Sequence, residues 1–304
     1  MHRYSLAILL SFGLLAPGAF GAQTCGAHGN KDTMIVTTTW LADHLKDPNL
    51  VILSVGPKAD YDKEHVPGAL TLGLDEISTP MGVGLMLELP PMDQLQKAFA
   101  DRGVVNNSRI VLYMSRNSIS SLTRVYLTLD AMGLGAQTSI LDGGFPVWKS
   151  EGRPVSTEVR AVKPGKLDVC PKDDVIASGE WVRANIRKSG AAIIDSRAPQ
   201  FYTGESAGGN HDGSEQRKGH IPGAGSLPFN TLIDDKGLFL KPEQMREKFA
   251  SAGAKAGDRV VSYCHIGQQA TVVYFAARYL GYDARMYDGS FEDWNAHADW
   301  PVEK

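Results

Sequence analysis

The chain has 304 residues, 43% of them hydrophobic and 21% charged, with a formal net charge of −3. That composition is ordinary for a soluble globular protein, and the length accommodates two domains of usual size. The net charge is too small to point to a partner, and without a basic block or basic–aromatic stripe a nucleic-acid binder is set aside.

Arg3 precedes an almost wholly apolar run, Ser5 to Phe20, and Ala19-Phe20-Gly21-Ala22 supplies small residues for a peptidase. Pro17 and Gly18 break the run, which is short for a membrane span, so residues 1–22 are expected to be a cleavable signal peptide. Ala22-Gln23-Thr24 does not resemble a lipoprotein box before Cys25. The mature protein is therefore expected in a bacterial periplasm. In that oxidising compartment the three cysteines are informative. Cys264 is expected to stay free for chemistry. Cys25 and Cys170 could pair, or could be two unpaired, inert thiols.

From Met34 the predicted elements follow in order. Thr37 to Thr39 can cap a short helix over Trp40 to Leu45. Leu50 to Val55 is a strand, and a loop carries Asp60, Tyr61, His65, Val66, Pro67, Gly68 and Ala69. Pro90 to Gly103 is an amphipathic helix, Arg109 to Met114 a buried strand, and Ser118 to Gly133 a helix ending in glycine. Ser139 to Leu141 is a short strand closed by Asp142-Gly143-Gly144-Phe145-Pro146-Val147-Trp148.

The second half repeats this order. Ala191 to Ser196 answers Leu50 to Val55, and Tyr202 answers Tyr61. His220-Ile221-Pro222-Gly223-Ala224 answers His65-Val66-Pro67-Gly68-Ala69. Tyr263-Cys264 answers Tyr113-Met114, and Asp288-Gly289-Ser290 through Trp294 answers Asp142 through Trp148. The spacing from tyrosine to histidine grows by 14 residues in the second copy, which places an insertion within Thr203 to Lys218. That segment is polar and rich in Gly and Ser, so a surface loop is expected. Strands alternating with helices imply a mostly parallel sheet flanked by helices in each copy, an α/β protein of two tandem domains. The expected boundaries are 23–151 for the first domain, 152–175 for the linker and 176–304 for the second.

The chemistry centres on Val260 to Gly281. Val260 to Tyr263 is a buried strand, and Val272, Val273, Ala276, Ala277 and Leu280 fall at helical spacing. Cys264 lies between the two, facing a helix N-terminus whose free N–H groups and dipole favour an anion. Such a setting lowers a thiol pKa and makes the sulfur nucleophilic. The competing reading, an inert buried thiol, is weakened by the strand–loop–helix placement.

These motifs together resemble the two-domain form of the rhodanese family of sulfurtransferases, from about Val36 to Trp294. The resemblance implies tandem rhodanese-like α/β domains, the first catalytically silent, because Met114 stands where a nucleophilic cysteine would be. It also implies that Cys264 takes a sulfane sulfur from a small anionic donor, thiosulfate first, and passes it to a thiophilic acceptor, cyanide or a thiol. The backbone of His265, Ile266, Gly267, Gln268 and Gln269 would cradle the persulfide. 3-Mercaptopyruvate is the alternative donor, and a non-enzymatic sulfur-relay or binding module in the periplasm is the alternative class.

The chain departs from the family pattern in its cations. Gln200 stands where an Arg is usual after Asp195-Ser196-Arg197, and Ile266 where thiosulfate-type members often carry a basic residue. Arg197, Arg217, Lys218 and His265 are candidate substitutes, with Gln268 and Gln269 as hydrogen-bond donors. Arg197 equally suits a structural salt bridge, and Arg217 and Lys218 suit solvated loop charges. His220, having a twin in His65 of the silent domain, suits a shared turn role better than a catalytic one. A Cys-x5-Arg phosphatase loop is excluded in practice because that Arg position is Ala270. No histidine spacing suggests a metal site, and no cofactor is expected.

Overall fold

The computed structural model describes residues 28–80, 82–210 and 212–304. The expected signal segment and Cys25 lie outside the described residues. The first domain runs β1 (Ile35–Val36), α1 (Thr38–His44), β2 (Leu50–Val55), α2 (Lys58–Lys63), β3 (Leu70–Leu72), α3 (Met92–Ala100), β4 (Arg109–Met114), α4 (Ile119–Ala131), β5 (Thr138–Leu141) and α5 (Gly144–Ser150). The second repeats it with β6 (Ile176–Ala177), α6 (Gly179–Ala184), β7 (Ala191–Asp195), α7 (Pro199–Tyr202), β8 (Gly225–Ser226), α8 (Pro242–Ser251), β9 (Arg259–Tyr263), α9 (Ala270–Tyr279), β10 (Asp283–Tyr287) and α10 (Ser290–Ala296). The sheet orders are β1-β5-β4-β2-β3 and β6-β10-β9-β7-β8, one topology used twice. All strand pairings within these sheets are parallel. Central strands buried on both faces explain why β4 and β9 are near-continuous apolar runs rather than alternating ones.

The chemistry of the repeat is visible in its turns. The ring of His65 stacks on Tyr61 with centroids 3.9 Å apart, and His220 stacks on Tyr202 at 3.8 Å. Each histidine's Nδ1 lies within hydrogen-bonding distance of that tyrosine's carbonyl, at 2.7 and 2.8 Å. Each tyrosine hydroxyl donates to the alanine closing the turn, Ala69 or Ala224. His220 is therefore a turn-forming residue, as its twin is. Trp148 and Trp294 are core residues whose indole N–H groups donate to Pro154 and Pro301 carbonyls.

Asp60 and Tyr61 fall in the short helix α2 rather than in the loop expected there. Lys58 and Asp62 pair across one turn, and Tyr61 buries its ring beneath, which makes six residues sufficient for a helix. The two domains meet through α4 and α9. Leu122, Val125 and Leu129 share one buried apolar cluster with Val272, Phe275 and Ala276, and Tyr126 meets Phe275 edge-on at 4.7 Å. Residues 152–175 form no helix or strand element and run back along the first domain, with Gly165 N–H donating to Ala100 and Cys170 N–H to Met132.

A reciprocal contact flanks this core. Asp142 of the first domain accepts from Phe239 N–H of the second (3.2 Å), and Asp288 of the second accepts from Leu89 N–H of the first (3.1 Å). Burial pushes the Asp142 carboxyl up to about 6, with Asp234 adding to the shift. A carboxyl whose pKa rises on folding stabilises the folded state below its unfolded pKa, and that stability is lost as pH rises through about 6. Asp142→Asn keeps the acceptor oxygen and removes the charge. It is expected to match the parent protein near pH 4 and to exceed it at pH 8 by on the order of 1–3 kcal/mol. Equal unfolding free energies at pH 8 would contradict this.

Candidate active site

Cys264 leaves the end of β9 fully buried and is a free thiol. Its carbonyl accepts from Phe291 N–H (3.0 Å), and the His265 carbonyl accepts from Glu292 N–H (2.9 Å). Its own N–H donates to Ser290 Oγ at 3.2 Å, while that hydroxyl donates to the Tyr287 carbonyl at 3.0 Å. Ser290 holds this post at φ 53°, a left-handed conformation that costs a non-glycine residue of order 1 kcal/mol. The first domain places Gly144, with φ 58°, at the corresponding position. The serine is thus a departure within the repeat, and its hydroxyl does what glycine cannot.

The loop 264–269 then feeds the first turn of α9. The N–H groups of residues 265–270 make no hydrogen bond to another described residue. Successive unpaired N–H groups before a ten-residue helix make a concave donor surface for an anion beside the sulfur. Gly267 is required by this path. It sits at φ 78°, and a Cβ there would come within 2.5 Å of the Asp288 carbonyl oxygen.

The expected site residues divide. His265, Ile266, Gly267, Gln268 and Gln269 all lie on the loop. Burial, with the charge of Arg197, lowers His265 to about 4, so it is neutral at physiological pH and is no cationic anchor. Its Nδ1 faces Gln216 Oε1 at 3.0 Å. Gln268 points its amide at Ser121 of the first domain (3.0 Å), and Gln269 Oε1 is buried without a partner. Arg197 lies within electrostatic reach of Cys264 but is 1% exposed. It forks onto Asp195, donates to the Gly219 carbonyl and lies over the Phe291 ring at 4.2 Å, forming a buried salt bridge. Arg217 is not a solvated loop charge, because its guanidinium donates to the carbonyls of Trp294, His297 and Trp300. Lys218 is exposed and donates to the Glu205 carbonyl. The Gln200 carbonyl accepts from Ser206 N–H (2.9 Å) and the Thr203 hydroxyl (3.4 Å), and its neighbour Phe201 meets the His265 ring edge-on at 4.5 Å.

The first domain builds part of this site. Arg124, fully buried in the middle of α4, forks onto the Asp288 carboxylate and donates to the carbonyls of Gly267 (3.0 Å) and Leu87. Thr123 pairs with Thr271 at 2.7 Å, and Met86 N–H donates to Glu292 at 3.0 Å. Arg124 escaped the sequence reading. The available signal was a lone arginine, the one charged residue in the helical stretch LTRVYLTL, where burial without a partner is prohibitive.

Comparison with known proteins identifies the family. The model of the rhodanese-like domain matches twice, over residues 37–151 and 178–297. This chain belongs to the rhodanese-like family of sulfurtransferases. It is 28% identical over 281 residues to the sulfur carrier protein TtuD of Thermus thermophilus, covering 89% of this chain and 96% of that one. It is 31% identical over 250 residues to the putative thiosulfate sulfurtransferase SseB of Mycobacterium tuberculosis, covering 80% and 84%. Among solved structures, SseA of Escherichia coli, a 3-mercaptopyruvate sulfotransferase by its description, superposes with a TM-score of 0.72 at 24% identity, over 85% of this chain and 98% of that one. YnjE superposes with a TM-score of 0.78 at 19% identity, over 90% and 68%. At these identities the structural likeness concerns the fold.

Proposed function

We propose that the protein moves a sulfane sulfur from thiosulfate to a thiophilic acceptor through a persulfide on Cys264. The carrying observation is a free cysteine at the end of β9, followed by the unpaired N–H groups of residues 265–270. In the first step the Cys264 thiolate forms a bond to the outer sulfur of the donor, the sulfur–sulfur bond of thiosulfate breaks, and sulfite leaves with the electron pair. In the second, the acceptor bonds to that outer sulfur and the electron pair returns to Cys264 as thiolate. The loop N–H groups hold the negative charge in between.

Donor choice follows from the cations. Mercaptopyruvate needs its carboxylate gripped, best by an arginine fork. Here Arg197 and Arg217 are committed to other partners, His265 is neutral, and Gln200 carries no charge. A compact dianion still has the N–H surface. Thiosulfate is therefore expected to be the better donor by at least about tenfold in kcat/KM, a difference of only ~1.4 kcal/mol. Steady-state rates with both donors decide it, and equal or faster turnover of mercaptopyruvate would overturn the charge argument.

A second reading, a sulfur carrier loaded by another protein's persulfide, is favoured by the other commitments of Arg197 and Arg217, by the neutral His265 and by the likeness to TtuD. It would show a single loading of Cys264 with no multiple turnover on thiosulfate.

We also propose export to the periplasm, with Cys25 as the partner of Cys170. In support, Cys170 is disulfide-bonded, as suits an oxidising compartment, and Cys264 is free. Protein recovered from a periplasmic extract and denatured should titrate a single thiol, whereas three would refute the pairing.

A further inference from the structure

The insertion between Tyr202 and His220 accounts for a difference between the two domains. In the first domain a cavity of about 390 Å³ opens at the carboxyl end of the sheet, lined in part by Asp60, Lys63, Ser115, Arg116, Phe145 and Lys149. The repeat sets Ser115 opposite His265, Phe145 opposite Phe291 and Lys149 opposite Asn295. In the second domain His265 and Asn295 meet the insertion instead. Gln216 is 2% exposed and clips His265 at two points, facing its Nδ1 through Oε1 (3.0 Å) and donating to its carbonyl (3.3 Å). Arg217 N–H donates to Asn295 Oδ1 at 2.8 Å. Gly208 backs the pair: its carbonyl accepts from Gln216 N–H (2.8 Å), and a Cβ on it would come within 2.4 Å of both Gln216 Oε1 and His265 Nδ1. Among the described residues of 203–218, Gly208 and Gln216 are the buried ones. The segment is thus polar and solvated except where it enters the cleft beside the residue that follows Cys264.

We propose that Gly208 and Gln216 plug the cleft flanking Cys264, and that Gln216 thereby sets the size of acceptor that reaches the sulfur. Cyanide and small thiols are admitted, and thiols of tripeptide size or larger are barred from that flank. The role in acceptor choice rests on Cys264 carrying the sulfur, whereas the filling of the cleft does not.

The test uses the full chain in three forms: parent, Gln216→Gly, which empties the cleft, and Gln216→Met, which refills it without the amide. Rates of Cys264 modification are measured by peptide mass with iodoacetamide and with a bulky fluorescein maleimide. The ratio of bulky to small rate is expected to rise at least about tenfold in Gln216→Gly and to stay within about twofold of the parent in Gln216→Met. Selectivity for glutathione over cyanide in kcat/KM should move the same way. Thermal unfolding confirms that the variants are folded, and Gln216→Ala replaces Gln216→Gly if that protein is not. An unchanged ratio in the cleft-emptying variant overturns the proposal. So does an equal rise in Gln216→Met, which would mean that the clip and not the filled volume controls access. Because alkylation does not depend on turnover, failure of the plug is distinguishable from failure of the sulfur-transfer reading, which Cys264→Ser tests separately.

Discussion

Cys264→Ser is expected to lower sulfur transfer by at least about a hundredfold while the protein still folds, because a serine hydroxyl offers no anion near neutral pH. The substitution is nearly isosteric at a fully buried position, so packing around β9 and α9 is retained. The cost to stability is confined to one buried hydroxyl, on the order of 1–3 kcal/mol if it finds no acceptor. The assay that reads the chemistry most directly is the mass of the intact protein after thiosulfate. The parent chain should gain a single sulfur atom that cyanide removes, and the serine variant should gain none. Met114→Cys in the first domain should not restore transfer, because its surroundings differ: Gly237 of the second domain packs close to the Met114 methyl. Retention of more than about a hundredth of the parent rate by Cys264→Ser, or a sulfur adduct on that variant, would remove Cys264 from the mechanism.

Much of the fold was legible because it is written twice. The strands Leu50–Val55 and Arg109–Met114 were placed to the residue, since buried parallel strands are short apolar runs with sharp polar ends. The paired tyrosine–histidine turns were legible as repeats, and their shared geometry explains why His220 is structural. The candidate site was legible only along its own segment. Cys264 and the loop through Gln269 follow from one strand, one turn and one helix start. The residues that the sequence reading missed act across long separations. Arg124 reaches Asp288 and Gly267 from the other domain, and Gln216 reaches His265 from an insertion that has no counterpart to compare with. The environments of the cations are hard to read from sequence for a related reason. Whether an arginine is solvated, salt-bridged or tied to carbonyls depends on which backbone groups surround it, and Arg197 and Arg217 are settled by the Gly219, Trp294, His297 and Trp300 carbonyls.

The largest effect outside the nucleophile is expected at Arg124. Arg124→Met should leave Asp288 as a buried carboxylate that keeps the Leu89 N–H but has lost its cation, and should remove the donor to the Gly267 carbonyl. Breaking one partner out of a buried pair costs about 3–5 kcal/mol, so a fall in unfolding temperature alone would say little about function. The informative comparison is the double variant Arg124→Met/Asp288→Asn, in which both charges of the Arg124–Asp288 pair are removed. Its stability should recover most of the loss, since neutral replacement of a buried pair is often tolerated. Its activity should not recover, because Gly267 would still lack the donor that holds it. Gly267 sits in a left-handed conformation pressed against the Asp288 carbonyl, and the N–H groups on either side of it point where that conformation sends them. Misplaced donors weaken charge stabilisation in the transition state, and losing one well-aimed donor of this kind costs about a hundredfold in turnover. The loss should therefore fall on kcat more than on KM. Arg124→Lys should be intermediate, keeping the charge and losing the fork. A double variant that regains both stability and full turnover would show that Arg124 only holds the domains together. A stable double variant with depressed kcat would make the first domain one half of the active-site frame.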